Sequence, residues 1–228
     1  GLLHLLLLLV AVGFAPWHGY LFLGGLRSFL RTAGVRSSVR MTAAQGFPLH
    51  ETEFPPVLNV PVYSLATLGE DGETNMNILT YASPVGIRPA RLWCISLYRK
   101  TKSHENFMAR RSGTLQFLTD RHASLIYLLG GQSRLDVDKA VESRALGFEW
   151  QRDDAMEELL LPGCAAYIRL TLVGDVLDAG DHDVAVCRLD RILVPSSAAP
   201  NGSGSMMTAF LREQGLISSK GQAIPPEA

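Results

Sequence analysis

Three short stretches of this chain carry side chains that could hold a ligand or act on it. Lys100-Thr101-Lys102-Ser103 follows an apolar, strand-like run and opens a helical one. A helix start offers unpaired backbone N–H groups and the positive end of the peptide dipole, and both suit a phosphate. Arg99, Lys100 and Lys102, with the Thr101 and Ser103 hydroxyls, would add charge-assisted hydrogen bonds. The same residues also read as an ordinary capped helix with solvated lysines. Upstream, Asn75, Asn77, Thr80, Tyr81 and Ser83 crowd a strand and its exit. Alternate strand residues share a face, so Asn75, Asn77 and Leu79 form one side, and Met76, Ile78 and Thr80 the other. Exposed backbone at such an exit, around Ala82, can hydrogen-bond the edge of a flat heterocycle. Downstream, His182 ends the tight turn Asp178-Ala179-Gly180-Asp181-His182. Together these features suggest a pocket for a phosphorylated planar cofactor on a small β-barrel.

The elements that must position these residues are mostly strands. Val62 to Leu68 alternates in character, Asp71-Gly72 supplies a hairpin turn, and Thr74 to Ala82 reads as the return strand. Pro84 and Pro89 then break the chain, and Arg91 to Tyr98 reads as a buried strand. Thr101 to Arg111 is a helix that Thr101 or Ser103 would cap. Leu115 to Thr119 is a short strand, and Ser124 to Leu129 and Val137 to Leu146 are helical pieces around Gly130-Gly131. Ala165 to Leu177 and Asp183 to Val194 are longer strands, and Met206 to Gln214 is a short helix in a Pro/Gly/Ser-rich tail. Strands and helices do not alternate strictly, which disfavours a doubly wound parallel sheet. A mainly β fold, an antiparallel barrel closed wholly or in part with short helices in its connections, fits better.

Read jointly and in order, these segments resemble the flavin reductase-like, FMN-binding split-barrel family. The matching pieces are Pro61-Val62 with Thr67 and Asp71-Gly72, the block from Asn75 to Val85, the run Ser96 to Ser103 with Asn106-Phe107, and the turn Ala179 to His182. The resemblance covers residues 57–195. It implies a six-stranded antiparallel, Greek-key-like split barrel that binds FMN at a homodimer interface and transfers hydride from NADH or NADPH to flavin. It implies that Asn77, Thr80, Tyr81, Ala82 and Ser83 contact the isoalloxazine ring and ribityl chain. Arg99 to Ser103, beside Tyr98, would hold the phosphate, and His182 would lie near the reactive face of the flavin where nicotinamide docks. The chain departs from the family pattern at Arg88-Pro89-Ala90, where an Asp-Pro-Pro is usual, and at Asp183, where a Thr is usual.

Composition narrows the alternatives. A net charge of −1 gives no basic footprint for nucleic acid. Cys94, Cys164 and Cys187 are odd in number and lack CxxC spacing, so they read as small buried hydrophobes, not as a disulfide framework or zinc site. Asp178, Asp181 and Asp183 supply too few oxygen ligands for a hard-cation loop, and no metal is expected. GxSxG, HExxH, P-loop and GxGxxG patterns are missing, as hydride chemistry carried by a cofactor would allow. Two other readings stay open: an FMN flavoprotein acting on a different small molecule, and a non-catalytic flavin-binding module.

The N-terminus is a different kind of segment. Its first 50 residues hold four arginines and no acid, which leaves 17 basic against 22 acidic residues in the remainder. The apolar run from Leu5 to Val12 followed by a Ser/Arg-rich stretch reads as a bipartite plastid-targeting presequence over residues 1–41. Processing after Met41 would deliver the mature chain to the plastid stroma, off the membrane. The alternatives are secretion and a membrane anchor. Residues 42–56 form an arm, 57–195 the flavin domain and 196–228 the tail.

Overall fold

Strand alternation and turn residues dictate most of the architecture. The structure is a computed structural model that describes residues 49–53, 55–196 and 204–226. Eight antiparallel strands make one sheet: β1 (Tyr63–Leu68), β2 (Thr74–Leu79), β3 (Ala82–Gly86), β4 (Leu92–Tyr98), β5 (Ser112–Phe117), β6 (Ala166–Leu172), β7 (Leu177–Ala179) and β8 (His182–Leu193). The helices are α1 (Lys102–Arg110), α2 (Ile126–Gly131), α3 (Lys139–Ala145) and α4 (Thr208–Glu213), with a 3₁₀ turn over Asp120–Leu125 leading into α2. These elements belong to a unit running from Glu53 to Ala228. Of the segment before it only residues 49–52 are described, and they are irregular and exposed. The presequence expected over residues 1–41 lies outside the described residues, as does most of the arm. Among the described residues no helix is long and apolar enough to cross a membrane.

The sheet has to curl. Its order is β2-β1-β5-β6-β8-β4-β3, with β7 paired to β8, so β2 and β3 are its two ends. Laid flat, those ends would be about 29 Å apart at the usual strand spacing. Yet only Thr80 and Tyr81 separate them in the chain, a reach of about 11 Å at most. The result is a mainly β, antiparallel split barrel with short helices in its connections. It has two short strands beyond the six expected, β3 and β7.

Two breaks in the strands differ from the sequence reading, and each has a local cause. The return strand stops at Leu79, and a separate β3 starts at Ala82 and contains Pro84. Proline lacks an N–H, but β3 is an edge strand and one of its sides needs no ladder partner. The long strand from Ala165 ends at Leu172, because Gly174 adopts φ +70 and turns the chain back, so that β7 pairs with β8. The β1–β2 hairpin turns at Asp71-Gly72 as read, with Gly72 at φ +80 and Gly69 N–H bonded to the Glu73 carbonyl at 2.9 Å.

Val62 and the residues of β1 that follow it alternate between two cores. Tyr63 and Leu65 join Ile95, Leu97, Leu115, Leu170 and Phe107 of α1 inside the curl. Val62 and Ala66 face the other way, against Leu125, Leu129, Trp150, Leu161 and Leu211, beneath the helices. Burying both faces leaves β1 almost inaccessible and fixes its register. Cys164 and Cys187 are buried free thiols and Cys94 is half-buried. Burial pushes the Cys187 thiol up to about 12 and the Cys164 thiol higher still.

A buried ion pair ties the 157–158 segment to the sheet. Glu158 is 1% exposed, accepts Thr114 Oγ1 at 2.9 Å and pairs with Arg169, which also reaches Ser112 Oγ and Glu157 at 3.0 Å. Replacing Arg169 by Met strands that carboxylate without its partner. The expected cost is about 3–5 kcal/mol in urea unfolding, with most of it recovered when Glu158→Leu is added. A loss within experimental error would mean the pair is not buried.

Candidate functional site: a cleft at the start of α1

The first turn of α1 is built to stay open. Thr101 is its N-cap at φ −112 and ψ 147, and its Oγ1 accepts the His104 N–H while donating to the Tyr98 carbonyl at 2.8 Å. The helical ladder begins with Glu105 N–H to the Thr101 carbonyl at 3.2 Å. The backbone N–H groups of Lys102 and Ser103 precede that bond and have no partner within the helix. Ser103, Asn106 and Phe107 are buried, so the helix start is held against the barrel. Ser103 Oγ accepts Asn75 Nδ2 at 2.8 Å and joins α1 directly to β2.

Beside this turn lies a cleft of about 660 Å³. Asn77, Thr80 and Tyr81 line it from the β2 exit, Tyr98 from the end of β4, and Lys100 to Ser103 from the helix start. His182 lines it from the first residue of β8, its ring centroid 5.7 Å from Tyr81 and 5.3 Å from Tyr98. His182 Nδ1 meets Asp181 at 2.7 Å, and this contact holds the Asp181 carboxyl below the usual range. Three expected residues lie outside the lining. Ala82 packs toward the barrel interior, and Ser83 is exposed with its hydroxyl on the Pro84 carbonyl. Arg99 turns away to Asp183 at 2.6 Å and Asp178 at 2.9 Å.

Asp183 therefore has a bracing role that the sequence reading did not assign. Its second oxygen meets His104 Nε2 at 2.7 Å, so one largely buried carboxylate ties β8, the turn after β4 and the first turn of α1 together. Hydrogen bonds from Arg99 and then His104 hold the Asp183 carboxyl below the usual carboxylate range. Asp178 is lowered by the Gly180 N–H first and by Arg99 next.

The opposite wall was not foreseen. It consists of Leu129 to Arg134 at the end of α2 and just beyond it, Lys139 at the start of α3, and Gly221 and Gln222 of the tail. The Gly130-Gly131 pair gave a local hint. A Cβ on Gly130 would sit 3.1 Å from Ile78 Cγ1, so glycine lets the end of α2 close onto β2. Arg134 donates to the Thr74 carbonyl at 2.8 Å. Lys139 is buried, and burial draws its ammonium pKa down to about 8.

The floor of the cleft has acceptors without donors. Asn75 Oδ1 and Asn77 Oδ1 are buried and have no hydrogen-bond partner. Either orientation of the Asn75 amide leaves one of its ends unpaired, since its other end is on Ser103. Leaving buried polar atoms unpaired costs about 1–3 kcal/mol each, so their natural complement is a ligand bearing N–H or O–H donors. A donor-bearing ring and polyol, with a phosphate at the open helix turn, match this set of groups, so the residues present fit a flavin mononucleotide.

A curled antiparallel sheet with a mononucleotide-sized cleft at a capped helix start defines the class: a split-barrel ligand-binding protein. Residues 58–211 match the flavin reductase like domain, and the chain belongs to that family. No curated protein matches the chain. Among solved structures, flavoredoxin from Methanosarcina acetivorans is similar with a TM-score of 0.60 at 13% identity, covering 79% of this chain and 93% of its own. An FMN-binding protein from Thermus thermophilus with bound p-hydroxybenzaldehyde gives 0.54 at 19%, covering 66% and 83%. An NADH:FAD oxidoreductase from Streptomyces globisporus C-1027 gives 0.53 at 13%, covering 62% and 80%. At these identities the likeness is one of fold.

The Asp183 brace has a pH signature. Its lowered pKa means the unfolded chain binds the proton first on acidification, starting near pH ~4. The stabilisation is complete above that pH and is lost as pH falls through the depressed value. Thermal melts of the wild type should therefore fall more steeply from pH ~5 to ~3 than those of Asp183→Asn, which is weaker but flatter. Parallel curves would mean Asp183 braces nothing.

Proposed function

We propose that this protein is an FMN-binding oxidoreductase that takes hydride from NADH or NADPH and works as a homodimer. The observation that carries the reading is the pairing of two opposite deficits across one cleft. Unpartnered acceptors on Asn75 and Asn77 face one part of it, and unpaired N–H groups with Lys100 and Lys102 face another. A bound flavin supplies the chemistry, accepting a hydride and passing two electrons onward.

The chain's own residues bind and orient. Asn75 and Asn77 accept from ring or ribityl donors. The Lys102 and Ser103 N–H groups and the dipole of α1 receive the phosphate, and Lys100 and Lys102 add charge. Lys102 is also drawn to Glu105 at 2.5 Å, and that contact would compete with the phosphate. His182, Tyr81 and Tyr98 form an aromatic rim on one side of the cleft, against which a nicotinamide ring could stack. Family membership supports flavin-linked redox chemistry, and exposed Tyr81, Val85 and Ile87 beside the cleft offer an apolar surface to a second copy.

Purified protein mixed with FMN and desalted should absorb at roughly 450 nm and bleach when NADH or NADPH is added. A stable spectrum that dithionite bleaches but neither nicotinamide alters would favour a flavoprotein with another electron donor. A protein that stays colourless ends the reading. Lys102→Ala with Ser103→Ala should weaken FMN by about ten- to hundredfold, the worth of one or two charge-assisted hydrogen bonds. Unchanged affinity would take the Lys102 ammonium and the Ser103 hydroxyl out of phosphate binding. His182→Ala should keep FMN within about threefold while lowering turnover about tenfold or more, the scale of one positioned group. Equal turnover would take His182 out of the chemistry.

A further inference from the structure

Lys139 opens α3 and is only 6% exposed. It lines the large cleft and also a neighbouring cavity of about 400 Å³ that Trp150 lines, with Asn75 and Arg134 sharing the dividing wall. Its Nζ donates to the Leu129 carbonyl at 2.9 Å and the Met76 carbonyl at 3.2 Å. Both acceptors are neutral, and an ammonium has three N–H groups, so one donor remains. Among the described residues no carboxylate lies within ion-pair distance of it.

The acids nearby are engaged by other groups or lie beyond ion-pair distance. Asp138 caps α3 by accepting the Ala140 and Val141 N–H groups. Asp71 faces Arg134 at 3.7 Å. Glu73 and Asp136 share the smaller cavity with Lys139 but form no ion pair with it, and they do not line the cleft. Arg134, the nearest cation, opposes the Lys139 charge. A buried ammonium without a counter-charge is costly, and folds keep one where something else neutralises it. Met in its place would fill a similar volume without burying a charge, though it would lose the two hydrogen bonds to the Leu129 and Met76 carbonyls.

We propose that Lys139 is the counter-cation for negative charge on the occupant of the cleft, an inference that rests on the flavin reading above. The charge has two possible sources with one chemistry: the phosphate of FMN, or the ring once it is reduced to its anion. Lys139 then acts by binding and orienting. Occupancy would return its ammonium toward its ordinary pKa, so binding near pH 8.5 would draw a proton onto Nζ.

The test is calorimetric titration of FMN, riboflavin and dithionite-reduced FMN at pH 8.5 into the wild type and Lys139→Met. Two buffers of different ionisation enthalpy are used, so that proton uptake is read directly. The wild type should take up a fraction of a proton with the ligand that carries the charge, the variant none, and the variant's affinity for that ligand should fall about tenfold or more. Loss for FMN but not riboflavin assigns the charge to the phosphate, and loss confined to reduced flavin assigns it to the ring. Equal losses for oxidised FMN and riboflavin, or no loss at all, overturn the proposal. Lys139→Arg should stay within about threefold of the wild type. If Lys139→Met does not fold, the wild type decides alone, and absence of proton uptake overturns the proposal. If the wild type takes up no flavin, the flavin reading has failed by itself. Inorganic phosphate must then raise the melting temperature of the wild type and not of the variant, or the counter-cation falls too.

Discussion

The hydrogen bond from Asn75 to Ser103 is the contact on which the site depends. It is buried, 2.8 Å long, and joins the strand that carries the unpaired acceptors to the helix turn that carries the unpaired donors. Neither side would point anywhere useful without it. β2 is a sheet edge, and edges drift unless something pins them. α1 is nine residues long and marginal by itself. Burial of Phe107 in the barrel core and the Asp183 brace from β8 complete the fixing of α1. The cleft is thus a consequence of how the barrel closes, because the Thr80-Tyr81 step that forces the sheet to curl also forms one of its walls.

Much of this was legible in the chain. Alternation in 62–68, the apolar run of 91–98, the Asp-Gly turn and the Thr101 cap are local signals, and local signals survive folding. The helix start after a buried strand is likewise a matter of neighbours in sequence. The break after Leu79 has no local signal in the sequence, and Pro84 looks like a terminator that only its place on an edge makes acceptable as a strand residue. The break after Leu172 hinges on Gly174 adopting a left-handed turn, which a glycine permits but does not announce.

The far wall was illegible for a different reason. No feature of the sequence marks Lys139 within the helical piece from Val137 to Leu146, and its burial comes from α2 and α3 folding back over β2. Gly221 and Gln222 carry no chemical signature at all. Arg99 shows the converse. It belongs by type with the phosphate-binding cations, yet Asp178 and Asp183, some eighty positions away, claim its guanidinium. The Asp183 that breaks the family pattern and the Arg99 that leaves the cleft are one feature seen from two ends.

The central claim is that a phosphorylated flavin spans this cleft from the first turn of α1 to the amides of β2. A crystal structure of the protein grown with FMN tests it most directly. The account requires the phosphate within hydrogen-bond distance of the Lys102 and Ser103 N–H groups, and ring or ribityl donors on Asn75 and Asn77 Oδ1. A phosphate bound anywhere else, or FMN density that leaves both asparagine oxygens unpartnered, would contradict it.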